Sequence, residues 1–398
     1  MRKTLKFALL LALISIAQSG SLRAEFLYAS YHGSAVLSYA LNHDTGSITP
    51  LPSSPLQITG GSGSLAVDRS RRFLYADTGE GISGYRIKAN GSLAPLHGSP
   101  FKVVGGTLTI DPLNRFLYAA AGSPFGPQTD TVSAYRIDAN GTLKPVPGSP
   151  FSTGSYPISA SVDPFGRFVY VADFGSAEIS AYRVLENGSL MPVAGSPFPT
   201  IGTPITTVIE PSGRFLYAAS FGASKIASFR IGPDGALTPL SSSPTSVPGA
   251  FIQDMALDPF GFLYVAQGES GNNVWGYRID NSTGALEEVP GDPSNSGVEA
   301  FAVAVDPRSK FVYVANANHL ANNGPVSISG YDIGPNGALK PVLGSPFPVS
   351  VPDGTFRVQS LSFVGPDTTR PRLGIRKTEK CCYGPASTLT LYGEPVQQ

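Results

Sequence analysis

Short runs of apolar residues, separated by polar turn signals, fill most of the chain, and the segment 156–198 shows the pattern most clearly. Period-two runs rich in β-branched and aromatic residues are typical of β-strands. Four such runs fall in the segment: Ser159–Val162, Phe168–Ala172, Ile179–Val184 and Leu190–Val193. The Asn187-Gly188 pair predicts a tight hairpin between the last two, because both positions tolerate positive φ. The segment therefore predicts a four-stranded antiparallel meander, whose strands we call A to D.

Three markers of this unit each recur seven times. Strand B carries a tyrosine at Tyr28, Tyr75, Tyr118, Tyr170, Tyr217, Tyr264 and Tyr313. Strand C carries an aromatic residue at Tyr39, Tyr85, Tyr135, Tyr182, Phe229, Tyr277 and Tyr331. The hairpin between C and D carries a glycine at Gly46, Gly91, Gly141, Gly188, Gly235, Gly284 and Gly337. The repeat of about 47 residues falls where four-stranded propeller blades are expected, so the sequence predicts an all-β, seven-bladed β-propeller.

The two ends of the repeat predict how the ring closes. The first copy begins at strand B, Phe26–Ala29, with no strand A before it, and a surplus strand, Val358–Val364, follows the last copy. We expect this C-terminal strand to complete the first blade, because closure removes the exposed edge of an open sheet.

Three strings in the last copy resemble a known group of propellers. They are FVYVAN at Phe311–Asn316, ISGYDI at Ile328–Ile333 and VDP at Val305–Pro307. They are similar to those of the YVTN and lactonase-type propellers, a superfamily that includes 6-phosphogluconolactonase-like and muconate-cycloisomerase-like enzymes. The resemblance covers roughly residues 26–364. It implies a lactone-opening site with a Pro-Arg-His start to an inner strand and a glutamate just after a strand B.

The chain departs from that implied site. Where the resemblance calls for Arg and His, the fourth and fifth copies have Ile158 with Ser159 and Ile205 with Thr206, and Phe221 stands near the place of the acid. None of the four histidines begins a strand A. The sequence therefore favours a binding or interaction propeller, with a lactone hydrolase that has a displaced active site as the alternative.

Candidate site residues fall at the ends of strands on the face where the D-to-A crossings and B-to-C loops emerge. An acid or base and a cation from different blades could meet there, as lactone opening would need. The candidate catalytic residues are Asp254, Glu299 and Arg357, and the candidate ligand-binding residues are Gln253, His32 and His319. The long B-to-C loops at 120–131 and 316–325 are further places where we expect specific contacts.

Other recurring polar residues are predicted to shape turns. Asp77 and Asp173 follow strand B, and Asp side chains bond to nearby backbone amides. Acids also end strand A at Asp68, Asp111, Asp163, Glu210, Asp258 and Asp306. The Asn-Gly sequons at Asn90, Asn140 and Asn187 occupy the hairpin position, which indicates turn geometry.

A Ser-Pro-Phe triplet follows strand D in four copies, at Ser99, Ser149, Ser196 and Ser345. Since proline cannot donate a ladder hydrogen bond, we expect it to end strand pairing and the phenylalanine to anchor the crossing to the next blade.

The two termini fall outside the repeat. Residues 1–24 have the pattern of a signal peptide, with Arg2, Lys3 and Lys6 before the apolar run Phe7–Ala17, and cleavage is predicted after Ser19 or Ala24. We therefore expect an exported protein, periplasmic or extracellular, with the propeller at 25–365 and a partly flexible, basic tail at 366–398. Cleavage after Ala24 would leave a net charge of about −4, which disfavours nucleic acid or an anionic membrane as partner.

The remaining composition limits the cofactor classes. The only cysteines, Cys381 and Cys382, are adjacent, so they could form a strained vicinal ring, pair between chains or stay free. No C-x-x-C spacing supports zinc, and the strand A acids are spread around the ring, so neither a metal nor another cofactor is expected. The expected partners are a protein, a peptide, a carbohydrate or a small lactone at the channel mouth, and we expect a monomer.

Overall fold

The computed structural model describes residues 25–31, 35–60, 63–78, 80–122, 129–249, 251–268, 272–297, 299–316, 326–349 and 358–364. Its regular structure there is entirely β-strand. In chain order the strands are β1 (Glu25–Tyr31), β2 (Ala35–Leu41), β3 (Ile48–Pro50), β4 (Leu56–Gln57), β5 (Leu65–Val67), β6 (Phe73–Thr78), β7 (Gly81–Ile87), β8 (Leu93–Pro95), β9 (Thr107–Ile110), β10 (Phe116–Ala120), β11 (Thr131–Ile137), β12 (Leu143–Pro145), β13 (Phe151–Ser152), β14 (Pro157–Val162), β15 (Phe168–Asp173), β16 (Glu178–Val184), β17 (Leu190–Pro192), β18 (Phe198–Pro199), β19 (Pro204–Ile209), β20 (Phe215–Ser220), β21 (Lys225–Ile231), β22 (Leu237–Pro239), β23 (Thr245–Ser246), β24 (Ile252–Leu257), β25 (Phe262–Gln267), β26 (Asn273–Ile279), β27 (Leu286–Glu288), β28 (Ser294–Asn295), β29 (Ala300–Val305), β30 (Phe311–Asn316), β31 (Ser327–Ile333), β32 (Leu339–Pro341), β33 (Phe347–Pro348) and β34 (Val358–Val364).

These strands form seven antiparallel sheets, and the predicted seven-bladed propeller is confirmed. Blade 4 is typical: β14, β15, β16 and β17 are the predicted strands A to D, and the short β18 pairs again with β16. Blade 2 has β5 to β8, while blades 3, 5, 6 and 7 follow the five-strand plan in chain order. Strands A lie innermost, the D-to-A crossings and B-to-C loops form the mouth face, and the A-to-B and C-to-D hairpins form the hairpin face.

Ring closure by the C-terminal strand is confirmed. β34 pairs antiparallel with β1, from Phe26 opposite Val364 to Ala29 opposite Leu361, so it is strand A of blade 1. Strands β1 to β4 supply the rest of that blade.

The buried side chains of the described residues form seven clusters, and each cluster joins one blade to the next. In one of them, Phe168 and Tyr170 of blade 4 pack with Leu216 and Phe229 of blade 5. Burying one such aromatic ring contributes about 4 to 6 kcal/mol before conformational entropy is subtracted. The core is therefore a ring of blade interfaces, which explains why the strand B and C aromatics recur in every copy.

The tyrosine and glycine markers are parts of one contact between blades. The Tyr170 hydroxyl donates a hydrogen bond of 2.9 Å to the Gly235 carbonyl in the hairpin of the next blade. Gly235 has a φ of +91°, and a Cβ there would lie 2.5 Å from the Phe168 ring. The hairpin glycine is thus required both by turn geometry and by close approach of the preceding blade. Six such tyrosine bonds are present, including Tyr313 to Gly46 across the closure.

The prediction that proline in the Ser-Pro-Phe triplet ends pairing is wrong. After the proline the chain pairs again with strand C, as Phe198 does with Ile179. The serine bridges the interruption, because Ser196 Oγ accepts the Ala181 amide at 2.8 Å where a ladder partner is missing. All seven blades repeat this bond, and blade 6 uses Asp292 in place of serine.

The strand A acids shape the A-to-B turn as predicted. Asp163 is buried, and its Oδ1 accepts the amides of Arg167 and of Phe168, the latter at 2.9 Å. The carboxylate therefore closes the turn and fixes the start of strand B.

Candidate functional site at the channel mouth

The inner strands of blades 4 to 7 each have a β-bulge near their first residue, at the mouth face. In each, the register shifts by one residue near the start of strand A, for example between Ile252 and Asp254 in β24. The extra residues are Ile158, Ile205, Gln253 and Phe301, and all four are partly exposed. A β-bulge re-aims side chains and is common beside binding sites, and here Gln253 is the single polar residue among the four.

An arc of four aromatic rings lies along the mouth face of blades 4, 5 and 6. The ring centroids are 5.5 Å apart for Tyr156 and Phe174, 6.4 Å for Phe174 and Phe221, and 4.7 Å for Phe221 and Phe251. All four rings are partly exposed. We call this set the aromatic arc; unlike the strand B and C aromatics, it offers ring surface to a ligand.

Local chain geometry places these four rings. Tyr156 and Phe251 each precede the first residue of a strand A, while Phe174 and Phe221 each follow the last residue of a strand B. The Phe174 amide donates to the Tyr156 carbonyl at 2.9 Å, so strand entry and strand exit are held together. The arc is therefore built on the ends of the inner two strands.

Asp254 lies on β24, three residues after Phe251. Its Oδ2 accepts the Val303 amide of the neighbouring inner strand at 3.0 Å, and its Oδ1 accepts the Met255 amide at 2.8 Å. Burial raises the pKa of Asp254 to about 7, although the two backbone hydrogen bonds oppose that shift. Asp254 is nevertheless partly exposed rather than fully buried. A carboxyl with this pKa can donate or accept a proton near neutral pH.

The position of Asp254 is unusual within the repeat. It falls four residues before the acid that ends strand A, and small residues occupy that position in the other described copies: Ser64, Thr107, Ser159, Thr206 and Ala302. Asp254 is therefore the one titratable group at this level among the described inner strands.

Two other candidates lie on the same two blades as Asp254 and its Val303 partner. Gln253 is adjacent in β24, and its side chain lies over Gly268 at the end of β25, where an added Cβ would come within 2.9 Å of Gln253 Cγ. Glu299 precedes the neighbouring inner strand, has a φ of 49° and is buried, and its amide donates to Asn272 Oδ1 at 2.8 Å. Gln253 and Asp254 thus lie on the inner strand of blade 6, and Glu299 lies just before the adjacent inner strand of blade 7.

The other candidates, His32, His319 and Arg357, lie outside the described residues, as do most of the two long B-to-C loops and the adjacent cysteines. At the positions where the resemblance calls for Arg, His and Glu, the structure has Ile158, Ser159 and Phe221. Phe221 belongs to the aromatic arc, so an apolar ring stands near the expected place of the acid.

The prediction that Asp77 and Asp173 are turn formers is wrong. Asp77 Oδ1 accepts the Gly106 amide of a D-to-A crossing at 2.9 Å. Asp173 Oδ2 instead accepts the amide and the hydroxyl of Ser180 on strand C, at 3.1 and 2.6 Å. Burial raises the pKa of each to about 6. They act as anchors of the mouth-face backbone.

The described acids and histidines come closest to a metal-binding set on the hairpin face, where Glu25, His43 and Asp306 meet. Arg308 Nε lies 2.6 Å from Glu25 Oε1, and His43 Nδ1 lies 3.2 Å from Glu25 Oε2. Because a guanidinium occupies the place of a cation, we interpret this group as an ion-pair cluster between blades 7 and 1.

Sequence reasoning missed the aromatic arc. Aligning the copies would have found it, since Phe174 and Phe221 occupy one repeat position and Tyr156 and Phe251 another. Both positions fall outside the strands, where core packing does not demand an aromatic side chain.

A family model of seven-bladed β-propeller lactonases matches residues 75–196 and 206–301. The matched residues make up more than half of the chain, so the chain belongs to this lactonase family. A search of curated proteins found no match.

Solved structures with the same fold agree. A protein of Bacteroides uniformis, provisionally named a 6-phosphogluconolactonase, has a TM-score of 0.69 at 18% identity, covering 86% of this chain and 99% of its own. The periplasmic gluconolactonase of Pseudomonas aeruginosa has a TM-score of 0.66 at 20% identity, covering 83% of this chain and 99% of its own. At these identities the likeness concerns the fold. In the part of the chain that the structure describes, we find no helix with the length and hydropathy of a membrane span.

Proposed function

We propose that this protein is an exported binding propeller whose mouth takes a small polar ring compound, namely a sugar or a sugar lactone. The aromatic arc carries the proposal. Four contiguous, partly exposed rings provide flat apolar faces against which the C–H face of a sugar ring can stack. Gln253 and Asp254 lie on β24, just after Phe251, and supply the polar groups that orient such a ligand.

Direct binding tests the proposal. Calorimetric titration of the full mature chain with a panel of monosaccharides, aldonic acids and their lactones should find saturable binding. Phe221→Ala should weaken the dissociation constant about three- to tenfold, since one stacked ring contributes about 0.5 to 1.5 kcal/mol. Phe165→Ala is the matched control, because Phe165 is 53% exposed on the hairpin face.

Equal weakening by the two substitutions would contradict a stacking role for the arc. So would the absence of binding by the whole panel at millimolar concentration, provided that the melting temperature shows the chain to be folded.

Lactone hydrolysis is the second candidate, and Asp254 is the observation that favours it. A general base works best when its pKa lies near the operating pH, and burial brings the pKa of Asp254 to about 7. In this role the carboxylate would take a proton from the water that attacks the lactone carbonyl. The Val303 amide, which already binds Oδ2, would hold the carboxylate in place.

Hydrolysis of a lactone panel, followed by acid release against pH, separates the two candidates. If Asp254 is the base, kcat/KM rises through an apparent pKa near 7, and Asp254→Asn abolishes the turnover while leaving sugar binding measurable. A parallel Arg357→Ala variant tests the cation that the sequence suggested. Turnover that survives Asp254→Asn would exclude Asp254 as the base.

Export is the remaining part of the proposal. It is supported by the signal-like residues 1–24 and by the likeness to a periplasmic gluconolactonase. The intact mass of the protein recovered from the periplasm or medium should correspond to cleavage after Ser19 or Ala24. Recovery of the uncleaved chain from the cytoplasm would contradict export.

A further inference from the structure

The A-to-B hairpin of blade 6 lacks a side chain that other blades have. A basic residue precedes the first phenylalanine of strand B at Arg72, Arg115, Arg167, Arg214 and Lys310, and its charge lies 4.9 to 5.3 Å from that phenylalanine ring. Gly261 takes this position in blade 6, where its carbonyl accepts the Ile279 amide as the arginine carbonyls do in other blades. The blade 6 turn is also one residue shorter, since Phe262 follows Asp258 by four residues.

A cavity lies beside Gly261, at the junction of blades 5 and 6 on the hairpin face. Its volume is about 340 Å³. Two prolines, Pro211 and Pro259, lie on the turns that border it, and Phe260, 61% exposed, stands at its side. Because residue 261 is a glycine, no side chain from that position covers these apolar residues.

The arginine of blade 5 is arranged differently from those of blades 3 and 4, although its Nε contact with the turn serine is shared by Arg72, which bonds to Ser70 Oγ at 2.9 Å. Arg115 and Arg167 each place Nε 2.8 Å from the acid of their own turn. Arg214 instead donates from Nε to Ser212 Oγ at 2.8 Å and from Nη2 to the Asn281 carbonyl at 2.6 Å. Arg214 lines the cavity and, among the described residues, forms no ion pair. Its two hydrogen bonds use Nε and one Nη2 hydrogen, which leaves the N–H groups of Nη1 and one N–H of Nη2 as donors for a ligand.

The acid of that turn is engaged elsewhere. Glu210 Oε1 accepts the Arg214 amide at 2.8 Å, and Glu210 Oε2 accepts the Ser212 amide at 2.7 Å. Its negative charge remains at the cavity wall, which disfavours ligands with two or more negative charges.

We propose that this cavity is a second ligand site, which binds a monocarboxylate with a flat apolar body. The outer edge of the Arg214 guanidinium presents two parallel N–H groups, the geometry that a carboxylate accepts bidentately. The Phe260 ring and the two prolines provide the surface for the apolar body. The site is on the opposite face from the aromatic arc and does not depend on the function proposed for the mouth.

Titration with benzoate, followed by amide NMR shifts and calorimetry on the full mature chain, tests the site. Benzoate should saturate and shift the Gly261 and Asn281 amides, while methyl benzoate and phosphate should bind at least tenfold more weakly. Arg214→Gln should weaken benzoate binding about tenfold or more, because a charge-assisted pair is lost. Arg167→Gln, at the same position of blade 4, is the matched control and should change nothing.

Phe260→Ser is a second variant, which should weaken benzoate binding because the ring that carries the apolar body is lost. Phe165→Ser, at the same turn position of blade 4, is its control. Both rings are exposed, so neither change should alter the melting temperature. Benzoate and methyl benzoate binding equally well, Arg167→Gln weakening binding as much as Arg214→Gln, or no saturable shift at millimolar benzoate would each overturn the proposal.

Discussion

Blade 4 and blade 6 have the same strand order and pairing but differ where the candidate sites lie. At three matching positions blade 4 has Ser159, Arg167 and Phe174, whereas blade 6 has Asp254, Gly261 and Gly268. The first exchange puts a titratable group in the inner wall, the second opens a cavity, and the third makes room for Gln253. The shared positions build the ring, and the exchanged positions supply the chemistry.

Some exchanges in blade 6 are compensated and others are not. Asp173 accepts the Ser180 hydroxyl in blade 4, and at the matching positions of blade 6 Gln267 Oε1 accepts Trp275 Nε1 at 3.1 Å. That pair keeps a buried hydrogen bond, as buried polar groups require. The shorter blade 6 turn holds Gly261 at a φ of +97°, which favours glycine, and no described side chain takes the place of the missing arginine.

The largest effect should come from blade 1, which is built from both ends of the propeller, whereas blades 4 and 6 are each built from one continuous segment. Deleting residues 357–398 removes β34 and exposes β1 as an open edge, so we expect cooperative thermal unfolding to be lost. Deleting residues 367–398 keeps β34 and should leave the melting temperature unchanged. Circular dichroism melts of both truncated proteins check this, and a cooperative, full-length-like melt of the shorter one would refute closure as a requirement for folding.

The next effect compares the hairpin glycines that face blades 4 and 6. Gly235→Ala puts a methyl group against the buried Phe168 at a φ of +91°, and we expect a loss of about 2 to 4 kcal/mol in the free energy of unfolding. Gly337→Ala meets Phe262, which is partly exposed and can move, so its loss should be about 1 kcal/mol smaller.

Urea denaturation measures both variants, with Gly222→Ala as the control because an added Cβ there meets nothing within 4 Å. If Gly337→Ala proves as costly as Gly235→Ala, the idea that blade 6 is locally looser at this junction is wrong.

A pH effect should distinguish the inner walls of the two blades. The folded state holds the Asp254 proton up to a pKa of about 7, while the unfolded chain releases it near 3.8. The stabilisation that comes from holding this proton in the folded state is therefore fully present below pH 3.8, and it is lost as pH rises through 7. The unfolding free energy of both proteins should fall between pH 5 and 8. The fall should be about 1 to 3 kcal/mol smaller for Asp254→Asn than for the parent protein.

Urea denaturation of both proteins across that pH range gives the dependence of each unfolding free energy on pH, which we call the slope. Asp77, Asp173 and Asp292 have raised pKa values of about 6 and are present in both proteins, so they cancel in the comparison. Ser159→Asn, at the matching position of blade 4, should leave the slope unchanged. Identical slopes for Asp254→Asn and the parent would show that Asp254 ionises normally.

The smallest effect concerns a feature that blades 4 and 6 share, the hydrogen bond from the strand B tyrosine to the hairpin of the next blade. Tyr170 and Tyr264 each donate a 2.9 Å hydrogen bond to the next hairpin, so Tyr170→Phe and Tyr264→Phe should each cost about 1 kcal/mol. Among the described residues the Tyr118 hydroxyl is buried without a hydrogen-bond partner. Tyr118→Phe should therefore change the unfolding free energy by less than about 0.5 kcal/mol in equilibrium denaturation.

The sequence predicted the blades because their markers are short-range. Asn187-Gly188 specifies a turn through its own backbone preferences, and Tyr170 marks a strand by its neighbours. The bond from Tyr170 to Gly235 was not predicted, because it joins residues of different copies that only the closed ring brings together. The hydrogen bond from the Ala181 amide of strand C to the Ser196 hydroxyl was not predicted either, because the fold brings these two residues together across a turn.

The sites were less predictable for a related reason. Asp254 could be named because it stands at the start of a strand A on the mouth face, but its raised pKa depends on burial in the folded ring. Phe174 and Phe221 belong to the residue types that fill cores, so composition alone did not mark them as surface rings. The cavity at Gly261 depends on the absence of a side chain, which becomes visible only when the turns are superimposed.

The position of β34 also sets a time order for assembly. The last strand of the ring to be synthesised is the innermost strand of the first blade. Whatever folds early on the ribosome, blade 1 remains one strand short until almost the whole chain has emerged. If the protein is exported as proposed, this delay would keep blade 1 incomplete while the chain crosses the membrane.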